Sequence, residues 1–338
     1  MSQPIDIPPD DDKNDLADAY ESLEDITQYS FDDVGGLNSV KQEMQHYAQA
    51  IAKPNTFKKY GIRPPKGIIL YGPPGMGKTL LARCFASEVG KYIDNPDTSI
   101  VFTQLNLEQY VSMWLGQTSK NLDKMLGIYK KIVNANRRKG VDLKIVLYLD
   151  EMEAIGAKRD GTHEAYQKML GVLLKYMDGL DANDGIYWIG STNRVNTLDE
   201  ALTRPGRFDK LISVDRYDEG GVKEIYQIHM MKATEKSEFD ALFDIKDWSQ
   251  IEYQSRDMSG AEVAEIVRRC VEYALWRDVD KGESKIPLQE KHVLKEIELF
   301  YDRRKKKLKP KRKIGFVPDA TESKPTTKPK TRKKKKKK

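Results

Sequence analysis

The feature that most constrains this chain is the octapeptide Gly72-Pro73-Pro74-Gly75-Met76-Gly77-Lys78-Thr79, set between an aliphatic run at 67–71 and a helical pattern at 78–89. Glycines in such a loop let successive backbone N–H groups turn inward around an anion, and the helix start behind them adds partial positive charge. A strand, a loop of this kind and a helix together make a phosphate cradle. Lys78 supplies a compact cation for the β- and γ-phosphates of a nucleoside triphosphate, and the Thr79 hydroxyl can ligate magnesium. The stretch expected to touch nucleotide therefore runs from Gly72 to Leu80. A glycine-rich turn with a chance Lys-Thr is the bland alternative, and the flanking strand and helix argue against it.

Short apolar runs recur at 99–105, 144–149, 186–191 and 211–214, separated by amphipathic patterns at 37–52, 120–136 and 164–177. Continuous apolar strands alternating with helices imply a five-stranded parallel sheet covered on both faces. Beyond residue 215 the strand signal ends, and helical patterns such as 221–234 and 259–277 imply a small all-α lid. The expected architecture is α/β, of the P-loop NTPase type, with a large domain over 31–217, a lid over 218–301 and tails at either end.

The formal charge of +6 hides an asymmetry: residues 302–338 carry +16 and residues 1–301 carry −10. The Lys-rich end, with no apolar period, reads as a disordered basic tail over 302–338. Residues 1–30 read as an acidic disordered arm, since nine carboxylates face Lys13 alone within the first 25 residues. Two cysteines, Cys84 and Cys270, sit in no metal-binding or disulfide spacing, which makes the reducing cytoplasm the expected compartment, with the nucleus open to a eukaryotic protein. Apolar runs stay far short of the roughly 20 residues of a transmembrane helix, so no transmembrane segment is expected.

The run 145–149 ends in Asp150-Glu151, at the strand edge where open α/β sheets bind ligands. Adjacent carboxylates there need a counter-charge: Asp150 can hold a hydrated magnesium ion while Glu151 polarises the attacking water. The next strand ends in Gly190-Ser191-Thr192-Asn193-Arg194, and a neutral amide at Asn193 can orient that water or sense a γ-phosphate, although Asn also suits an ordinary turn. Arg204 and Arg207 flank Pro205-Gly206 with no acid in that turn to neutralise both. Aimed at a neighbouring subunit's nucleotide they would act as arginine fingers; on spacing alone they equally suit two surface arginines.

With these pieces the constellation resembles the AAA ATPases of the AAA+ superfamily, in the branch of valosin-containing protein, the proteasomal ATPases, katanin, spastin and the membrane-protein extractases. The motifs that carry the resemblance are FDDVGGL, GPPGMGKT, LYLDEMEAIG, GSTNR, LDEALTRPGRFDK and MSGAEV, in order between about Phe31 and Ile297. The resemblance implies ATP hydrolysis, with ATP and Mg2+ as cofactors. It implies that Asp33 and Gly35 form the adenine-contacting turn, that His229 meets base and ribose, and that Gly260 and Ala261 bring the lid to adenine. Asn193 matches sensor 1, Arg204 and Arg207 the paired trans-acting fingers, and the family's hexameric ring implies a homo-oligomer.

Met113-Trp114-Leu115-Gly116 is similar to the aromatic-hydrophobic-glycine pore loop with which such rings grip an unfolded polypeptide. Trp114 offers a flat apolar face and Gly116 lets the loop move; the tetrapeptide by itself favours core packing of Met113 and Trp114, and its position in the family frame reverses that preference. Lys158, Arg159 and His163 are placed to form a second pore loop. Two departures stand out: Gln117-Thr118 replaces the family's usual Glu-Ser, and no H-E-x-x-H follows the module, which sets it apart from the membrane-protease relatives. The leading expectation is protein unfolding or disassembly, with an adaptor as an additional partner. The alternative is a nucleic-acid-associated ATPase whose basic tail holds DNA or RNA without base specificity, or an acidic partner instead.

Overall fold

The structure, a computed structural model, describes residues 19, 21–61, 65–107, 118–156, 163–178, 185–281 and 287–308. After a 3-10 turn at Phe31–Asp33, the elements run α1 (Asn38–Ala52), α2 (Pro54–Lys59), β1 (Gly67–Tyr71), α3 (Lys78–Lys91), β2 (Thr98–Asn106), α4 (Thr118–Arg138) and β3 (Asp142–Asp150). They continue with α5 (Glu153–Gly156), α6 (His163–Asp178), β4 (Ile186–Thr192), β5 (Phe208–Ser213), α7 (Gly221–Glu235), α8 (Ser249–Ser255), α9 (Gly260–Lys281) and α10 (Glu290–Leu308).

The five strands form one sheet in the order β2-β3-β4-β1-β5, with every pairing parallel. Strand side chains alternate between faces, and the core divides accordingly. Ile69, Leu147 and Trp188 pack with Leu126, Tyr129 and Ile132 of α4 and Met169 and Leu173 of α6. Ile68, Leu70, Val146 and Tyr148 pack with Met44 and Ala48 of α1 and Leu81, Phe85 and Val89 of α3. Each fully buried aliphatic or aromatic side chain contributes about 1.5–3 kcal/mol, so burial on both faces is what holds the strands at their heights.

β5 begins at Phe208, three residues before the expected run at 211. Asp209, Lys210 and Leu211 are exposed on this edge strand, so the apolar pattern there is broken and its start does not show in the sequence. The strands end at Ser213, and among the described residues the regular elements from Gly221 onward are helices, with one isolated bridge between Phe243 and Leu288.

From Ala19 onward, residue 20 aside, the N-terminal segment is placed against the sheet. Glu24 makes an antiparallel bridge with Phe102 on the outer side of β2, donating to Phe102 O at 2.7 Å and accepting from Phe102 N at 3.2 Å. Ser22 Oγ lies 3.2 Å from Thr103 Oγ1 and 3.0 Å from the Tyr129 hydroxyl, and Ile26 is buried. At the other end α10 continues to Leu308, past the expected tail boundary, because Arg303–Lys307 are all good helix formers and the first proline comes at 310. The rest of the basic tail lies outside the described residues. The chain divides into two units between Glu298 and Leu299. Among the described residues, no helix is long and apolar enough to cross a membrane.

Cys84 and Cys270 are both free and buried, and burial pushes each thiol up to about 12. The reactive thiolate is thus scarce and shielded at neutral pH. Iodoacetamide should label neither residue in the folded protein; rapid modification of either would contradict this packing.

Candidate nucleotide site

Register brings three strand ends to one level. Asp150 pairs with Asn106, Leu149 with Gly190 and Tyr71 with Thr192, so the loop after β1, the carboxylates after β3 and Asn193 after β4 meet at the carboxyl edge of the sheet. There they line a cavity of about 550 Å³. Pro74, Gly75, Met76, Gly77, Lys78, Thr79 and Leu80 form its floor, Asp150, Glu151 and Asn193 one end, and Asp33, Gly35, His229, Gly260 and Ala261 the other.

Gly77 caps α3 with φ at +87°, a left-handed value that only glycine adopts without strain, and so turns the loop onto the helix. Lys78 is only 8% exposed and donates to Gly72 O, Pro73 O and Asn193 Oδ1, each at 2.8 Å. Gly72 and Pro73, expected among the nucleotide contacts, thus serve the loop through carbonyls bound by Lys78. Burial lowers the Lys78 pKa, and the charges of Asp150 and Glu153 oppose that shift.

Asp150 is surrounded by donors. Its Oδ1 accepts from Ser191 Oγ, from the Tyr148 hydroxyl at 3.3 Å and from Glu151 N at 3.0 Å, while Oδ2 accepts from Gln104 Nε2 at 3.2 Å. Thr79 Oγ1 lies 3.1 Å from the same Tyr148 hydroxyl, which places the hydroxyl of the loop and the carboxylate of β3 around one point. No cluster of three or more His, Cys, Asp or Glu that could hold a metal occurs among the described residues. One hydroxyl and one carboxylate suit a hard, strongly hydrated cation that completes its shell with phosphate oxygens and water. Glu151 has φ at +57°, rare for a side-chain-bearing residue, at the mouth of the same cavity.

The end of the cavity lined by α7 and α9 is drawn in by backbone contacts. Ala261 N donates to Gly75 O at 3.2 Å, and Gly260 N to the Tyr217 hydroxyl at 2.7 Å. Ser259 and Glu262 form a capping box at the start of α9, which explains the SGAE sequence. A Cβ on Gly35 would come within 2.5 Å of Ile225 N, so only glycine lets the N-terminal turn lie this close to α7. Asp33 has its carboxylate committed, accepting from Lys232 Nζ at 2.6 Å and Ser30 N at 3.0 Å. Burial, then the Lys232 charge, lowers the His229 pKa, so the imidazole faces the cavity neutral.

Arg204 and Arg207 do not line the cavity and do not form a pair. Arg207 donates to both Asp178 oxygens, at 2.8 and 2.7 Å, and to Ala201 O. Its partner comes from the end of α6, outside the turn itself. Arg204 is exposed and has no ion-pair partner among the described residues. Met113, Trp114, Leu115 and Gly116, with Lys158 and Arg159, lie outside the described residues; His163 opens α6.

Tyr148, Gln104 and Ser191 on Asp150, Tyr217 on Gly260 and Glu153 on Asn193 carried no signal that singled them out in the sequence, Glu153 alone being visible as a third acid within four residues. Arg83, one turn beyond Thr79, also lines the cavity. It is gripped by Glu24 at 2.8 and 3.0 Å, stacks on Tyr29 and Phe102, and donates to Gln104 Oε1 at 3.4 Å. That contact turns the Gln104 amide so that its NH2 faces Asp150.

A parallel sheet with a phosphate loop after its first strand, paired acids after the third and an amide after the fourth defines a P-loop nucleoside triphosphatase. Residues 68–216 match the model of the ATPase family associated with various cellular activities (AAA). Protein SAV of Sulfolobus acidocaldarius is 34% identical over 272 residues, covering 79% of this chain and 31% of that protein. The mitochondrial inner membrane i-AAA protease supercomplex subunit YME1 of Saccharomyces cerevisiae is 34% identical over 249 residues, 73% of this chain and 30% of that one. The ATP-dependent zinc metalloprotease FtsH of Aquifex aeolicus is 31% identical over 297 residues, 86% and 42% respectively. The chain carries an ATPase domain of the AAA family over residues 68–216. It spans about a third of the length of these relatives. Two of the three bear protease names; the similarity carries the family and not the branch.

Proposed function

We propose that this protein hydrolyses ATP with magnesium at a subunit seam of a ring and uses the energy to unfold or disassemble protein substrates. The observation that carries the reading is the convergence of Lys78, Asp150, Glu151 and Asn193 on one cavity, with Arg204 exposed and turned to none of it. Thr79 and Asp150 would hold the magnesium ion, which neutralises phosphate charge when bound. The loop amides and Lys78 bind and orient the triphosphate, Glu151 takes the proton of the attacking water, and the neutral His229 with the Gly35, Gly260 and Ala261 backbone grips base and ribose. Among the described residues Arg83 lines the cavity but is held by Glu24, and neither Arg204 nor Arg207 reaches it, which supports a neighbour supplying Arg204.

Work on polypeptides is supported by the relatives named as ATP-dependent proteases and by the Trp114 loop of the sequence. Trp114→Ala should leave ATP turnover in place and abolish processing of a permanently unfolded protein substrate. Unchanged processing would sink the unfolding reading while leaving the ATPase intact.

A further inference from the structure

Glu153 is the third acid of the run Asp150-Glu151-Met152-Glu153, and neither the phosphate cradle nor the metal donors use it. Its Oε1 accepts from Asn193 twice, from the backbone N at 3.3 Å and from Nδ2 at 3.2 Å. An ionised carboxylate only accepts, so the Asn193 amide must turn its nitrogen to Glu153. The amide oxygen is thereby left facing Lys78 Nζ, 2.8 Å away. The reverse orientation would press an NH2 group against an ammonium ion.

The other carboxylate oxygen, Oε2, is buried without a hydrogen-bond partner. A buried acceptor left unmade costs free energy, and against that cost stand the two bonds from Asn193 and the attraction of the Lys78 ammonium. What the acid does supply is direction. We propose that Glu153 is a positioning residue for the end of the triphosphate: it sets the donor–acceptor polarity of the Asn193 amide and, through that amide, where the Lys78 ammonium points. The inference rests on the cavity being an ATP site and deepens that reading.

Glutamine at 153 keeps the shape but can donate as well as accept, so the amide loses its enforced orientation. Three measurements on the full-length protein separate positioning from support: steady-state ATP turnover, binding of ADP against ATPγS, and thermal unfolding. For Glu153→Gln, kcat should fall about tenfold or more, in the range seen when groups that orient a ligand-binding side chain are lost. KM and ADP affinity should stay within about twofold, and the preference for ATPγS over ADP should change severalfold. The unfolding temperature should stay within a few degrees, because relief of the unmet acceptor and loss of the attraction to Lys78 oppose one another. Glu153→Asp, still acceptor-only, should retain more of the rate than Glu153→Gln. Adding Glu153→Gln to Asn193→Ala should cost nothing further. Wild-type turnover and ATPγS preference persisting in Glu153→Gln would overturn the inference, as would a loss of rate that tracks a fall in unfolding temperature, or full additivity with Asn193→Ala. Absence of nucleotide binding and turnover in the wild type would instead overturn the ATP-site reading on which it stands.

Discussion

Glu151→Gln should slow ATP turnover on the order of 10²- to 10⁴-fold while nucleotide affinity stays within a few-fold of wild type, the range that general-base catalysis contributes. That corresponds to about 3–5 kcal/mol of barrier. Geometry limits the damage to the base. The Glu151 backbone N–H, which donates to Asp150 Oδ1 at 3.0 Å, is untouched by the side-chain change. Asp150 keeps its donors from Ser191, Tyr148 and Gln104, so the carboxylate placed for the metal does not move. Glutamine also fits the left-handed backbone at 151 as well, or as poorly, as glutamate, leaving the strain at φ +57° unchanged. The variant should therefore bind ATP, hold it, and accumulate whatever assembly and bound polymer the ATP state favours. Isotope-labelled ATP retained on the protein, with a stalled product trace, is the readout. Rapid turnover in this variant would remove Glu151 as the base. Capture with the same variant identifies the polymer: a retained polypeptide supports the unfolding reading, a retained nucleic acid opposes it.

The elements that could be read in advance are those whose evidence is local. The β1 strand, the loop from Gly72 and the buried run into Asp150 each carry their signal within a few residues, and each is observed where expected. The start of β5 was hidden because Asp209, Lys210 and Leu211 are exposed at the edge of the sheet and break the apolar run between Phe208 and Ile212. Partnerships across distance were hidden for a different reason. Arg207 finds Asp178 29 residues earlier, Lys232 finds Asp33 199 residues earlier, and Asn193 finds Glu153 40 residues earlier. Strand order makes the last of these pairs, since β4 lies between β3 and β1 and carries Asn193 over both the acids and the lysine. Nothing in residue spacing encodes that order. Pairing also divides the two arginines: on sequence they were equivalent, but one is bound within its own chain and the other is left exposed. The N-terminal boundary moved for a similar reason, because Ala19, Ser22 and Ile26 have places on the body that acidic composition does not disclose.

Lys78→Met should abolish nucleotide binding at ordinary concentrations, a loss of at least about 10²-fold in affinity or ~2.8 kcal/mol, while barely changing the nucleotide-free fold. Two effects on that fold oppose one another. The ammonium is taken out of water at 8% exposure, and burial lowers its pKa below the unfolded value of about 10.4. Between the two pKa values the unfolded chain binds more protons, so stability of the nucleotide-free protein rises with pH through that window, and at neutral pH the buried charge is a cost that methionine removes. Against this, Gly72 O, Pro73 O and Asn193 Oδ1 lose the donor that satisfies them at 2.8 Å, at about 1–3 kcal/mol for each that stays buried. With the two effects opposed, the unfolding temperature without nucleotide should move by only a few degrees. The nucleotide-dependent part should vanish altogether. Wild type at ATP one hundred times its Kd gains about 2.7 kcal/mol from linkage, and the variant should gain none. Thermal unfolding with and without Mg-ATP measures both quantities in one experiment. A full ATP-induced shift in Lys78→Met would mean that the amine braces the loop and takes no part in holding phosphate.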